Sequence, residues 1–289
     1  MIKTLVAGPW LGEFGWELFA WQGHLRTLSK SFDRTIIIAQ GNTSLLYNDF
    51  SDTYLSFEPK NKNLSDCFHM KGYEYNLVDV YSTLKENKII LDKNHTHYYL
   101  PRSFCNLSPM SGYNTVFPSG IEGIPPIKPS YIKFGEKTPT IENIIVFHAR
   151  NRPQGPKVHN WDIDKWKELC SLYNNAGYQT VSIGTLQSSF HVPGSLDKRN
   201  ITMEETVSII RNSRCVLGTS SGPMHLASLC NTPHIVWSIE SNRQRYYTKW
   251  NPHVTPVIFL SCDTNSSGPP PSIIYNRYKE WEIFKEDQK

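Results

Sequence analysis

Leu217-Gly218-Thr219-Ser220-Ser221-Gly222-Pro223-Met224-His225-Leu226-Ala227 joins a strand-like run to a helix through a turn of small residues. Cys215-Val216-Leu217-Gly218 has the continuous apolar character of a strand buried on both faces. Pro223 stands where a first helical turn tolerates proline, because the missing N–H would be unpaired there in any case. The helix runs from Met224 to Cys230, and His234-Ile235-Val236-Trp237 forms the next strand. Such a turn leaves amides unpaired at the positive end of a helix dipole, an arrangement that suits a diphosphate. Around Gly222 and Met224, the side chains of Ser220, Ser221 and His225 can add hydrogen bonds. A plainer description also fits: an ordinary turn whose serines only cap the helix.

Upstream the same alternation repeats. Ile144-Ile145-Val146-Phe147 is a strand, and Asp164 begins a helix carrying Trp166, Leu169 and Leu172. Gly177 ends that helix and Thr180-Val181-Ser182-Ile183-Gly184 is a strand. Thr202 with Glu205 three residues on matches a capping box, opening a helix with Val207, Ile209 and Ile210. Strands alternating with helices predict a doubly wound parallel sheet. The loop His148-Ala149-Arg150-Asn151-Arg152-Pro153-Gln154-Gly155-Pro156-Lys157 leaves the carboxyl end of a parallel strand, where such sheets bind ligands. Arg150, Arg152 and Lys157 can neutralise a diphosphate without a metal, or stand as a solvated basic loop.

The first half opens with Leu5-Val6-Ala7 as a strand, broken by Gly8-Pro9, with Gly12 and Gly15 keeping the following stretch open. From about Glu17 a helix follows, with Leu18, Trp21, Leu25 and Leu28 on one face, and Thr35-Ile36-Ile37-Ile38-Ala39 is the next strand. That order makes a right-handed crossover unit. Trp10, Trp16 and Trp21 have aromatic faces that stack on a sugar or base, or at helical spacing simply fill the core. Between about 50 and 120 the chain is rich in Tyr, Asn, Ser and Lys, with short apolar runs at Leu77–Val80 and Ile89–Leu91, and predicts irregular α/β structure. Pro118, Pro125, Pro126, Pro129 and Pro139 then read as a stiff linker. In the tail, Tyr278, Trp281 and Phe284 share a stripe of a helix from Tyr275 to Phe284.

The 289 residues, 39% hydrophobic and 12% aromatic, allow two domains with sizeable cores and argue against global disorder. A net charge of +4 suits an anionic ligand without itself implying nucleic acid. No apolar run approaches the roughly 20 residues of a membrane span, and the first seven residues read as a strand rather than a signal peptide. The cysteines at 67, 105, 170, 215, 230 and 262 lack metal spacing and read as reduced thiols in a cytoplasmic protein. Cys67-Phe68-His69 and His95-Thr96-His97 come nearest to metal pairs, each without a second pair, so no metal site is expected.

The run Gly218 to Ala227, followed by Asn231-Thr232-Pro233, resembles the donor-binding signature of the heptosyltransferase-like glycosyltransferases of the GT-B fold. The usual family pattern is Asp-Ser-Gly-Pro-Met-His-Leu-Ala, then Gly-Thr-Pro. Here Ser220 replaces the Asp and Asn231 the Gly, which removes a charge beside the donor and bears on which nucleotide or sugar is taken. The likeness covers roughly residues 144 to 240 well, including Lys157, Trp161, Trp166, Gly177 and Gly184, and the first turn loosely. It implies two Rossmann-like domains facing each other across a cleft: residues 1–125 for the acceptor, 126–265 for the nucleotide sugar, and a helix in 266–289 packing back toward the first domain.

In the resembling family an Asp after a Gly in the first loop takes the acceptor's proton during inverting transfer. Glu13 after Gly12 matches that position chemically, with Glu17 one turn on as the alternative base, while a carboxylate at 13 equally suits a helix start. Trp10, Gly12 and Trp16 would line the acceptor side. Glu240 stands where GT-B enzymes often hold the donor ribose, with Arg243 and Arg245 near phosphate or base; a surface ion pair would use the same residues.

The resemblance implies metal-independent, inverting transfer from a nucleotide sugar, which is a substrate and not a cofactor, to a hydroxyl of a glycan or saccharide. An alternative acceptor is a hydroxymethylated base in phage-type DNA, which predicts salt-sensitive duplex binding. Two other classes share the cleft: a non-catalytic nucleotide-sugar binder, and a nucleotide-sugar hydrolase or epimerase. Glu13 in the other domain favours transfer. Oligomeric state leaves no mark in the sequence.

Overall fold

The computed structural model describes residues 2–58, 77–101, 116–134, 143–152 and 157–286. The expectations at Cys67, His69, Cys105, Pro139 and the loop centre 153–156 lie outside them. The chain divides into two compact units, Met1–Ile132 and Lys133–Lys289.

In the first unit β1 (Thr4–Trp10) pairs in parallel with β2 (Arg34–Ala39) on one side and β4 (Thr96–Tyr99) on the other. With β3 (Thr53–Ser56) outside β2, the order is β3-β2-β1-β4. β1 does not stop at Gly8-Pro9; its register to β2 shifts between Ala7 and Trp10, and the strand continues. Gly8 makes this possible. Its φ is +123°, and a Cβ there would lie 2.0 Å from the Ile38 carbonyl oxygen.

The helix begins earlier than Glu17. α1 (Phe14–Trp16), a π-helical turn (Glu17–Trp21) and α2 (Gln22–Leu28) follow without a break. Leu18, Trp21, Leu25 and Leu28 are all buried, as their spacing predicts. Further on, the apolar run Leu77–Val80 opens helix α3 (Leu77–Glu86), with Val80 and Leu84 buried beneath it. The proline-rich stretch is packed, not merely a spacer. Phe117 and Ile127 bond reciprocally through their main chains, and both are buried. Arg26 and Thr27 of α2 donate to the carbonyls of Ser130 and Lys128.

The second unit holds six parallel strands in the order β10-β9-β8-β5-β6-β7. They are β5 (Ile144–His148), β6 (Gln179–Ser182), β7 (Leu196–Asp197), β8 (Cys215–Thr219), β9 (His234–Ile239) and β10 (Val257–Cys262). Helices α4 (Ile163–Asn175), α5 (Met203–Asn212) and α6 (Gly222–Leu229) connect them, and α7 (Pro271–Glu286) ends the unit. The core centres on Trp161, Trp166 and Trp237, whose ring centroids lie 5.0–5.2 Å apart. On α7, Ile274 and Tyr278 are buried, and Tyr275 and Tyr278 meet Tyr173 of α4 edge-on. The tail stripe is thereby occupied within its own unit; Trp281 is half-buried and the Phe284 side chain lies outside the described residues.

Both sheets have the doubly wound order, and each reverses its winding direction beside its first strand. In the second unit that point lies between β5 and β8.

Candidate functional site

His148 closes β5 and pairs in register with Gly218 of β8, so the two strand ends lie level at the switch point. Ser221 is the N-cap of α6, yet its hydroxyl makes no capping bond. It goes instead to His148 Nδ1 at 2.9 Å. Burial, and then the charges of Arg150 and Arg152, push His148 down to about 3, so the ring is neutral. Burial lowers His159 and raises Tyr246, and the Arg150 charge adds to the first and opposes the second, so its charge acts on both groups beside the strand ends.

Lys157, exposed, begins the short turn Lys157–His159. That turn is fastened over β8 and β9: the Thr219 hydroxyl donates to the His159 carbonyl at 2.8 Å, and His159 Nε2 meets Ser238 Oγ at 2.7 Å. Two side-chain bonds thus carry both ends of the basic loop to the start of α6. Two glycines permit the crowding. A Cβ on Gly218 would lie 2.8 Å from Met224 Sδ and 3.2 Å from the His148 carbonyl. One on Gly184 would lie 3.0 Å from the His148 ring and 2.4 Å from Ser189 Oγ, at a φ of +125°.

The cradle is smaller than the sequence predicts. Met224 is fully buried, and its amide donates to the Ser221 carbonyl at 3.1 Å. Gly222 opens the helix, half-buried, and Pro223 brings no N–H. His225 is also buried, stacked on Tyr246 with centroids 5.2 Å apart and edge-on to Trp250. Met224 and His225 therefore form the floor of the turn and not its surface. Sequence reasoning passed over the residues that hold the serines. Tyr246 donates to Ser220 Oγ at 3.0 Å and accepts from the Ser221 amide. It comes from a π-helical turn (Arg245–Lys249), and no local pattern marks it as a partner of residue 220. His148 did carry a signal, as the polar residue ending an apolar strand.

Glu240, exposed, and Arg243, half-buried, pair with each other at 2.8 Å, and the Arg243 guanidinium lies over the Phe259 ring. Their geometry is the surface ion pair at the carboxyl end of β9.

In the first unit Trp10 is buried, stacked on Trp21 at 5.2 Å, which in turn stacks on Tyr99. Trp10 is thus core, and Gly12 is needed beside it, since a Cβ would lie 2.8 Å from the indole. Trp16 is half-buried and packs on Phe19. Glu13, half-buried, is the N-cap of α1 without a side-chain capping bond. Glu17 is only 3% exposed and accepts from Tyr47 Oη at 2.6 Å; burial raises its carboxyl to about 7 against the bonds from Tyr47 and Thr43. Among the described residues no three metal-ligating side chains gather, and no helix is long and apolar enough to cross a membrane. His95 pairs with Asp92 at 2.7 Å.

Solved structures of glycosyltransferases share this architecture. The E. coli heptosyltransferase WaaC with ADP superposes with a TM-score of 0.59 at 9% identity, covering 96% of this chain and 99% of its own. E. coli ADP-heptose lipopolysaccharide heptosyltransferase II gives 0.57 at 16% identity, over 99% and 100%. The family 9 glycosyl transferase from Veillonella parvula gives 0.54 at 11%, over 92% and 89%. The likeness is one of fold. It bears out two Rossmann-like units of the GT-B type. No protein-family model matches the sequence, and no curated protein does.

Proposed function

We propose that this chain is an inverting glycosyltransferase that moves a sugar from a nucleotide-sugar donor to a hydroxyl of a saccharide acceptor. The observation that supports this most is the pair of bonds Ser221–His148 and Thr219–His159, which bring Arg150 and the Lys157 turn to the start of α6 at the switch point. A diphosphate there meets cationic side chains, two serine hydroxyls and the first amide of a helix. The fold neighbours include WaaC with ADP, which makes adenosine diphosphate sugars the first donors to try.

In the proposed reaction the acceptor oxygen attacks the anomeric carbon as the bond to the diphosphate oxygen breaks. The electron pair of that bond leaves on the nucleoside diphosphate, and the hydroxyl proton passes to Glu13. Of the two candidate carboxylates Glu13 is the accessible one, whereas Glu17 is enclosed by its own unit. Arg150, Arg152 and Lys157 balance the charge that accumulates on the leaving group, so transfer is expected to persist with a chelator.

The test is a panel of sugar nucleotides, scored first by thermal stabilisation and then by transfer to saccharide acceptors in EDTA. Glu13→Gln is expected to lower kcat at least a hundredfold, the usual scale for a lost general base, while donor affinity stays within about twofold. Full turnover by that variant removes Glu13 from the mechanism. Stabilisation by no sugar nucleotide overturns the donor site itself.

A further inference from the structure

A serine hydroxyl has one hydrogen to give and two lone pairs to receive with. Whether it favours or repels an anion depends on what occupies those lone pairs. In the turn before α6 each of the two serines has a buried ring behind it. Tyr246, wholly buried, receives the Ser221 amide hydrogen on its oxygen and gives its own hydrogen to Ser220 Oγ. His148, 4% exposed, meets Ser221 Oγ through Nδ1.

We propose that His148 and Tyr246 are positioning residues that turn the hydroxyl hydrogens of Ser221 and Ser220 outward, as a paired donor for a diphosphate. The inference rests on the donor-site reading above and gives it two residues that never touch the ligand. For Tyr246 the direction is already set: with the phenol hydrogen on Ser220 Oγ, the Ser220 hydrogen is left for a partner outside. For His148 it follows from the ring's neutrality, which leaves one hydrogen to share between two nitrogens. With the hydrogen on Nδ1 the ring donates to Ser221 Oγ and the serine donates outward. With it on Nε2 the serine donates inward and presents lone pairs to the crevice. An anion in the crevice selects the first tautomer. Burial first, and then the charges of Arg150 and Arg152, keep the ring from becoming a cation with both nitrogens committed.

Binding of ADP, GDP, UDP and CDP is measured by calorimetry on the full chain, and the tightest is carried into double-mutant cycles. Ser221→Ala and His148→Phe are each expected to weaken it roughly tenfold, the loss of one charge-assisted hydrogen bond. The combined variant should be no worse than either alone, because His148 acts only through Ser221. His148→Asn, which sets an amide near the Nδ1 position, should restore affinity to within about threefold. Ser220→Ala and Tyr246→Phe should be non-additive in the same way. Additive losses in both cycles, or no loss in His148→Phe, overturn the inference while wild-type binding leaves the donor site standing. A wild-type chain that binds none of the four nucleotides overturns both.

Discussion

Glu17 is a carboxyl enclosed in the first unit, and its protonation should be visible in stability. Its unfolded value lies near 4.5 and its folded value near 7, raised by burial against the bonds from Tyr47 and Thr43. A raised value means the favourable contribution is complete below pH 4.5 and is lost as pH rises toward 7. Relative to Glu17→Gln, the wild type is expected to lose on the order of 3 kcal/mol across that window. Urea melts of both proteins at half-unit steps of pH check this, and a constant difference between them means an ordinary carboxyl. The sequence marked Glu17 as chemically able but not as buried, since Tyr47 lies 30 residues away and reaches it only in the folded unit. Trp10 shows the same limit from the other side. Its neighbour Gly8 suggested a strand break and Gly12 an open stretch, whereas both glycines admit close packing around the ring and the Ile38 carbonyl.

At the scale of elements, local signals succeeded where they were self-contained. Thr202 and Glu205 form the full reciprocal box, side chain to amide in both directions. Thr202→Ala should cost about 1 kcal/mol and lower the melting temperature by a few degrees, with little change in ligand binding; calorimetry on the two proteins measures it. Strands that depend on neighbours were less legible. β3 and β4 have four residues each and β7 has two, too short to show a period, and they exist because β2, β1 and β6 offer them a parallel edge. His97, met in the sequence as half of a metal-like pair, is a β4 residue in register with Leu5. β10 contains Val257-Ile258-Phe259-Leu260, a run apolar enough to be noticed, but its role as an outer strand is fixed only by β9. Around α6 the small residues correctly marked a tight approach; which groups fill it, Met224 below and His148 beside, depends on strands distant in sequence.

Across the whole molecule the two doubly wound orders were foreseeable from alternation in the second unit and only from the first crossover in the other. A property belonging to the full chain is its response to acid. Burial lowers His24, His159 and His234 to about 4 and His148 and His225 to about 3. Their contribution is complete above the unfolded value of 6.5 and is lost as pH falls toward the folded values. Each adds about 1.4 kcal/mol per pH unit to that loss, so steep destabilisation is expected between pH 6 and 4, partly offset by Glu17. Unfolding by circular dichroism against pH tests it, and a chain still fully folded at pH 4 contradicts the buried neutral rings.

Arg26 draws separate stretches of the first unit onto one guanidinium: Asp49 through two bonds, the Leu46 carbonyl, the Gln22 side chain, and the main chain at Ser130. A planar five-hydrogen fork can serve so many acceptors at once, and an ammonium cannot. For a protease this makes Arg26 one of three pins on the stretch 116–134, beside the Thr27 bond to the Lys128 carbonyl and the Ser130 amide's bond to the Gly23 carbonyl. In Arg26→Lys the stretch should loosen, and nicks by subtilisin within those residues should appear several-fold sooner than in the wild type, long before the interior of either unit is cut. Equal nicking would mean the Thr27 and Ser130 bonds hold the stretch without Arg26.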